Sequence, residues 1–182
     1  MAEQQPLVLL VDDEEDLCLL MQMTLARMGI KTHLAYRVEQ AKQLFLEFSD
    51  WAVNITSSLS DEQMEQMLGN EHGGMNEVLA DAYAITHDKK YIDCAKRFSH
   101  KKLLTPMSQR QDCLDNMHAN TQVPKAIGFE RIAELTGDET YHAAGSFFWD
   151  IVTGERSLAF GGNSRREHFP SKEACTDFIN DI

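Results

Sequence analysis

The sequence is short of positive charge. Lys and Arg total 17 against 29 Asp and Glu, a net charge of −12 over 182 residues. Binding to nucleic acid works through Lys and Arg clustered on phosphates. The densest basic pair outside the helical stretches, Arg165-Arg166, is followed at once by Glu167, so no nucleic-acid partner is expected. Long hydrophobic runs are missing as well. None approaches the roughly 20 residues that span a bilayer, and the N-terminus has no charged-then-apolar leader pattern, so no membrane partner is expected either. The four cysteines, Cys18, Cys94, Cys113 and Cys175, are widely spaced without a C-x-x-C pair. That excludes the signature of a disulfide framework or a thiolate zinc knuckle and makes a reduced, cytoplasmic protein the expectation. No proline- or glycine-rich linker divides the chain. What is present, 25% charged and 43% apolar residues, is the composition of a globular protein.

The chain is organised around Glu71 to Phe98, EHGGMNEVLADAYAITHDKKYIDCAKRF, because the stretch returns in degenerate form about fifty residues later. Over Pro124 to Trp149, Thr86 falls on Thr136, Asp88 on Asp138, Tyr91 on Tyr141 and Phe98 on Phe148. Cys94-Ala95 falls on Ala144-Gly145, small on small. Each copy reads as a helix, a T-x-D turn and a second helix. Repeats of this length mark arrays of helical hairpins, in which no hairpin buries its own apolar face.

Before the repeat, Pro6 to Val11 is an apolar run of strand length, with the pattern of a buried parallel strand. Acidic residues then open a helix with Leu17, Leu20, Met21, Thr24, Leu25 and Met28 at helical spacing, stopped near Gly29. Lys31 to Arg37 reads as a second strand, and Val38 onward turns helical. This β-α-β-α opening, with LVLLVDDEEDL, RMGI and E-x-A-K-x-L, resembles the first half of a response-regulator receiver domain over about forty residues. In that family the acidic pair, here Asp12 and Asp13, helps hold Mg²⁺ beside a phosphorylated aspartate. The expected phosphoacceptor region, SDWAVNITSSLSD from Ser49 to Asp61, lacks the family's pattern. Asp12 and Asp13 are therefore only a weak magnesium site, or simply a solvated helix start.

From Glu39 on the periodicity is helical without a break. Ala41, Leu44, Phe45, Phe48, Trp51, Ala52 and Ile55 form one stripe, and Ser60 with Glu62-Gln63 caps a helix ending near Leu68. Trp51 to Ile182 resembles the zinc- and cysteine-dependent β-L-arabinofuranosidases, glycoside hydrolase family 127. The matching blocks are LSDEQMEQML, EHGGMNEVLADAYAIT, HANTQVPKAIGFERIAELTGD, FFWD and GGNSRREHF. The expected fold is mainly α: an incomplete (α/α) toroid of helical hairpins over residues 41–182, preceded by a short β-α-β-α receiver-like segment over residues 1–40. The pairing of the two resemblances reads as a chimera.

Three polar loops stand where a hairpin array gathers its mouth: Glu71-His72-Gly73-Gly74, His118-Ala119-Asn120-Thr121-Gln122, and Gly161-Gly162-Asn163-Ser164 through Glu167-His168. Each alone is also explained by capping and turn chemistry. With the resemblance, Glu71, His72, His118, Asn120, Gln122, Asn163 and His168 become candidates for binding a carbohydrate, whose hydroxyls need donors and acceptors of these kinds. The resemblance further implies a zinc-bound cysteine thiolate as nucleophile, a glutamate acid/base and a metal-binding glutamate at the position of Glu167. A further ligand, cysteine in some members, falls on Phe169, and the family's later cysteine block has no counterpart before Ile182. Glu155 and Cys175 are the weak catalytic candidates, with Cys175 in a different sequence setting. The zinc site is thus expected to be incomplete and the chain to have no turnover of its own. The alternatives are a glycosidase completed by another chain and a receiver-like phosphorelay module. Unmatched hairpin faces, at Phe147-Phe148-Trp149 and along Phe45, Phe48 and Trp51, point to self-association.

Overall fold

A computed structural model describes residues 7–70, 72–159 and 161–174. The elements run β1 (Leu7–Val11), α1 (Glu15–Arg27), β2 (Lys31–Ala35), α2 (Val38–Thr56), α3 (Asp61–Met67), α4 (Met75–Thr86), α5 (Lys89–Arg97), α6 (Lys101–Ser108), α7 (Ala119–Thr136) and α8 (Glu139–Gly154). The protein is mainly helical, with one two-stranded sheet at its start. By compactness it divides into two units, Met1–Ala52 and Val53–Ile182, and the division falls inside α2.

In the first unit β1 and β2 pair in parallel, Leu7 opposite Lys31 through Val11 opposite Ala35, and α1 packs on both strands. Acidic Glu15 and Asp16 occupy the first turn of α1, where the helix dipole favours them. Gly29, at φ 75, turns the chain out of the helix and donates its N–H to the Ala26 carbonyl. The apolar run of β1 does not behave as a buried strand. Leu7 and Val11 are more than half exposed, because one partner strand and one helix do not cover it. The stretch from Ser49, where a receiver would carry its third strand, is helix as far as Thr56.

In the second unit α3 starts on a reciprocal capping box: Ser60 Oγ accepts from Gln63 N–H while Gln63 Oε1 accepts from Ser60 N–H. The two copies of the repeat then fold alike. α4 packs on α5, α7 packs on α8, and α4 packs on α7. In both turns a threonine donates back to the carbonyl four residues earlier, Thr86 to Ala82 and Thr136 to Ile132, each at 2.7 Å. The middle residue, His87 or Gly137, takes the left-handed conformation. Asp88 and Asp138 cap the next helix by accepting from Lys90 and Thr140 N–H. Tyr91, Phe98, Tyr141 and Phe148 are all buried. The four identities of the repeat are therefore turn hydrogen bonds and core contacts.

Two glycines set how close the hairpins come. A Cβ on Gly128 would stand 2.3 Å from the Asn76 amide, and one on Gly145 would stand 2.6 Å from Glu130 Oε1. Asn76 uses that closeness to donate from Nδ2 to the Lys125 carbonyl at 2.9 Å, tying α4 to α7. Between the two copies lies α6, which the repeat does not contain and which packs on α8.

Candidate functional site

The first turn of α7 and the segment from Arg165 to Phe169 form one local structure. Asn116 N–H donates to the Phe169 carbonyl at 3.0 Å, Phe169 N–H donates to the Met117 carbonyl at 2.9 Å, and Ala119 N–H donates to the Glu167 carbonyl at 2.7 Å. This ladder sets His118 against His168, with ring centroids 5.0 Å apart and edge to face. It also brings Nε2 of His118 to 3.2 Å from Oε2 of Glu167. An ionised carboxylate only accepts, so Nε2 carries the hydrogen. Phe169, fully buried against Phe148, pins the segment from below.

Arg156 holds the same region from the other side. It is 2% exposed, and its guanidinium donates to Asp112 Oδ2 at 2.7 Å, to Asp115 Oδ1 at 2.6 Å and to the Pro170 carbonyl at 2.8 Å. Burial would push its ionisation down, but the two carboxylates overcome that and raise it. One planar cation thus joins the chain before His118 to the chain after His168.

The glycine loop approaches α7 a turn further on. Gly73 and Gly74 lie against the Pro124 ring, where added Cβ atoms would be 3.6 Å from it. His72 beside them faces Asn70 O through Nδ1 at 3.4 Å, while its Nε2 is buried with no hydrogen-bond partner among the described residues. Its ring stands 5.8 Å from that of His100. Burial, then the charge of Lys125, lowers the proton affinity of His72, against the pull of the Asn70, Phe98 and Leu68 carbonyls. His100 is pushed further, down to about 4, by burial and then by Lys125, His72 and Lys102. Both rings are therefore neutral at pH 7. Gln122, 7% exposed, donates from Nε2 to Thr121 Oγ1 at 2.7 Å and accepts from Lys125 Nζ at 3.2 Å.

Of the residues expected from sequence, His118, Glu167 and His168 meet directly, and Gln122 and His72 join one buried polar cluster through Lys125 and His100. Asn120 is exposed on the first turn of α7, and Asn163 is half-buried in the loop before Arg165. Glu155 stands at the C-terminal end of α8 and pairs with Lys172. Glu71 and Cys175 lie outside the described residues. Asp12 accepts from Glu14 N–H at 2.9 Å, a helix-start contact within the first unit. Cys94 is buried in α5 beside Thr56, as its place in the repeat implied, and Cys113 is half-buried in the loop after α6. Of Phe147-Phe148-Trp149 only Trp149 is exposed; the two phenylalanines are buried in the core of α8.

The zinc that the resemblance implied is not matched by the described side chains. Among them no group of three or more His, Cys, Asp and Glu converges as a metal site needs. Glu167 faces His118, and Phe169, at the position the resemblance gives to a cysteine ligand in some members, is buried.

Lys125, His100 and Arg156 were missed. Lys125 carried a signal: it shares the buried face of α7 with Gln122, Phe129, Ile132 and Ala133, and a lysine on such a face needs a reason. His100 and Arg156 carried none.

The helical unit, in which loop histidines and a carboxylate meet at the start of α7, lies within the span of a family match. Residues 20–181 match the sequence model of beta-L-arabinofuranosidase, GH127 catalytic domain, and the chain belongs to that family. The match begins inside α1, within the first compact unit. No curated protein matches the chain.

Proposed function

We propose that the helical unit binds an arabinofuranoside-type sugar at a mouth formed by His72, His118, Gln122 and His168, with Glu167 orienting His118. The single observation that carries this reading is the ladder between residues 116–119 and 165–169. It brings two imidazoles and a carboxylate from segments 49 residues apart into one exposed cluster. Imidazole and amide groups can each donate or accept according to tautomer and orientation, which suits a ring of hydroxyls. The buried Nε2 of His72, without a hydrogen-bond partner among the described residues, is a second support, since native structures seldom leave such an atom unused.

The proposal is one of binding without turnover by the described residues. They supply no three-ligand metal site, and a zinc-bound thiolate needs one. The experiment is calorimetric titration of the full chain with methyl β-L-arabinofuranoside, alongside a chromogenic β-L-arabinofuranoside assay with and without zinc. Saturable binding that His118→Ala weakens about tenfold, the scale of one lost hydrogen bond, with hydrolysis equal to buffer, is the expected outcome. Binding indifferent to His118→Ala would defeat the proposed mouth, and zinc-dependent hydrolysis would defeat the absence of turnover.

A further inference from the structure

Lys125 lies 1% exposed in the core of the helical unit, and a buried ammonium is costly there unless something is gained by it. Its Nζ is 3.3 Å from Nδ1 of His100 and 3.2 Å from Oε1 of Gln122, both neutral partners. The charged groups that act on this cluster are Glu65 from α3, Lys102 from α6 and Lys125 itself. Burial, opposed by Glu65, lowers the proton affinity of Lys125 to about 8. An apolar side chain of similar length would fill the space without that penalty.

We propose that Lys125 is a positioning residue for the sugar-binding mouth, its ammonium fixing both the amide orientation of Gln122 and the tautomer of His100. The inference rests on the binding reading above and names what holds that site in shape. An ammonium has hydrogens to give and no lone pair to receive. Gln122 must therefore turn its oxygen to Lys125, which leaves Nε2 facing Thr121 Oγ1 at 2.7 Å and the His118 carbonyl at 3.4 Å. A flipped amide would set an NH₂ group against the ammonium and release the turn that carries His118. On its other side Lys125 makes Nδ1 of His100 an acceptor, so the ring hydrogen sits on Nε2. His100 holds its place with a left-handed backbone, φ 50, a conformation that needs support from its surroundings. Its ring packs against His72, so the same ammonium governs the neighbourhood of both binding loops. The Lys125 backbone is itself fixed, through its carbonyl, by Asn76 at the start of α4.

The test uses the full chain and reads the histidine ring nitrogens by long-range ¹H–¹⁵N NMR, with sugar affinity by calorimetry. In the unaltered chain His100 should show an unprotonated Nδ1 and a protonated Nε2. Its Nδ1 resonance should then move as the pH rises through about 8 and Lys125 loses its proton. In Lys125→Met, His100 should become a mixture of tautomers. The affinity for methyl β-L-arabinofuranoside should fall by about tenfold or more, while the midpoint of thermal unfolding stays level or rises. Lys125→Arg should restore the tautomer and most of the affinity. An unchanged His100 tautomer in Lys125→Met, or an unchanged affinity, overturns the proposal. Should Lys125→Met not fold, the pH titration of the unaltered chain decides, and a His100 Nδ1 signal that ignores the range around pH 8 overturns it. If the unaltered chain binds no arabinofuranoside, the mouth reading fails, while the ring spectra still decide whether Lys125 sets His100.

Discussion

The two compact units treat apolar side chains in opposite ways. In Val53–Ile182, Leu79, Leu103, Phe129 and Ile132 are fully buried, and the hairpins close on glycine contacts. In Met1–Ala52 the buried apolar residues among those described are Cys18, Ala35 and Ala52, all small. Leu7, Val11, Leu20, Met28, Val38, Phe48 and Trp51 are more than half exposed there. Both units carry well-formed helices and the first a regular parallel strand pair, so local sequence preference is not what separates them. The difference is partner surface: a hairpin repeat supplies each helix with neighbours, whereas two strands and a helix leave most of their apolar area in water. Two-stranded sheets are marginal for that reason.

The largest expected effect lies in the core of the second unit. Phe129→Ala should cost about 3–5 kcal/mol, the usual loss for a fully buried aromatic. Leu20→Ala on the exposed face of α1 should stay within about 0.5 kcal/mol. Equal losses in urea unfolding would break the comparison. Gly128→Ala comes next, because its methyl group meets the Asn76 amide at 2.3 Å and must push α4 away or turn Asn76 off the Lys125 carbonyl. Overpacking of this kind costs about 1–3 kcal/mol, and it should appear both in urea unfolding and as broken coupling between the hairpins.

The pH response should also belong to the second unit. The folded pKa of His100 is depressed from 6.5 to about 4. Its contribution to stability is therefore fully present above pH 6.5 and is lost as the pH falls through about 4, because the unfolded chain takes up the proton first. Unfolding at pH 7 and at pH 4.5 should differ in that direction, and the difference should shrink in His100→Asn, with a remainder from groups such as His72, whose proton affinity burial also lowers. Apolar-to-polar changes in the first unit, such as Leu20→Ser with Trp51→Ser, should leave stability nearly unchanged. They should reduce self-association in light scattering, since the exposed patch is what would drive it. If association persists unchanged, the sticky surface lies elsewhere, with Trp149 on α8 the next to test. The smallest expected effect is none: acetyl phosphate with Mg²⁺ should leave the intact mass of the chain unaltered.

The hairpins were legible because their signals are local. The T-x-D turns and the box of Ser60 with Gln63 each act within a few residues of themselves, and periodicity carries the rest. The ladder between residues 116–119 and 165–169 was not legible in that way, because its bonds run between backbones and no side-chain type announces them. Glu167 and His118 could be named as candidates, but their pairing could not. Arg156 shows the same limit: an arginine near a helix end reads as solvated until two aspartates more than forty residues earlier in the chain close on it. In the first unit the apolar run of β1 predicted its conformation and its parallel partner, yet not its exposure. Burial depends on how many neighbours arrive, and a strand's own sequence does not contain that number.

Arg166 and Glu167 both sit at positive φ, 46 and 70, held there by Ala119 donating to the Glu167 carbonyl and by the paired bonds between Arg165 and His168. Left-handed backbone at two successive non-glycine residues is conformational freedom already surrendered before any ligand arrives. A loop frozen in this way has little disorder left to lose. Sugar binding at His118 and His168 should therefore show a small entropic penalty in calorimetry, with slow amide exchange at Ala119, His168 and Phe169 in the free chain and little further slowing in the complex.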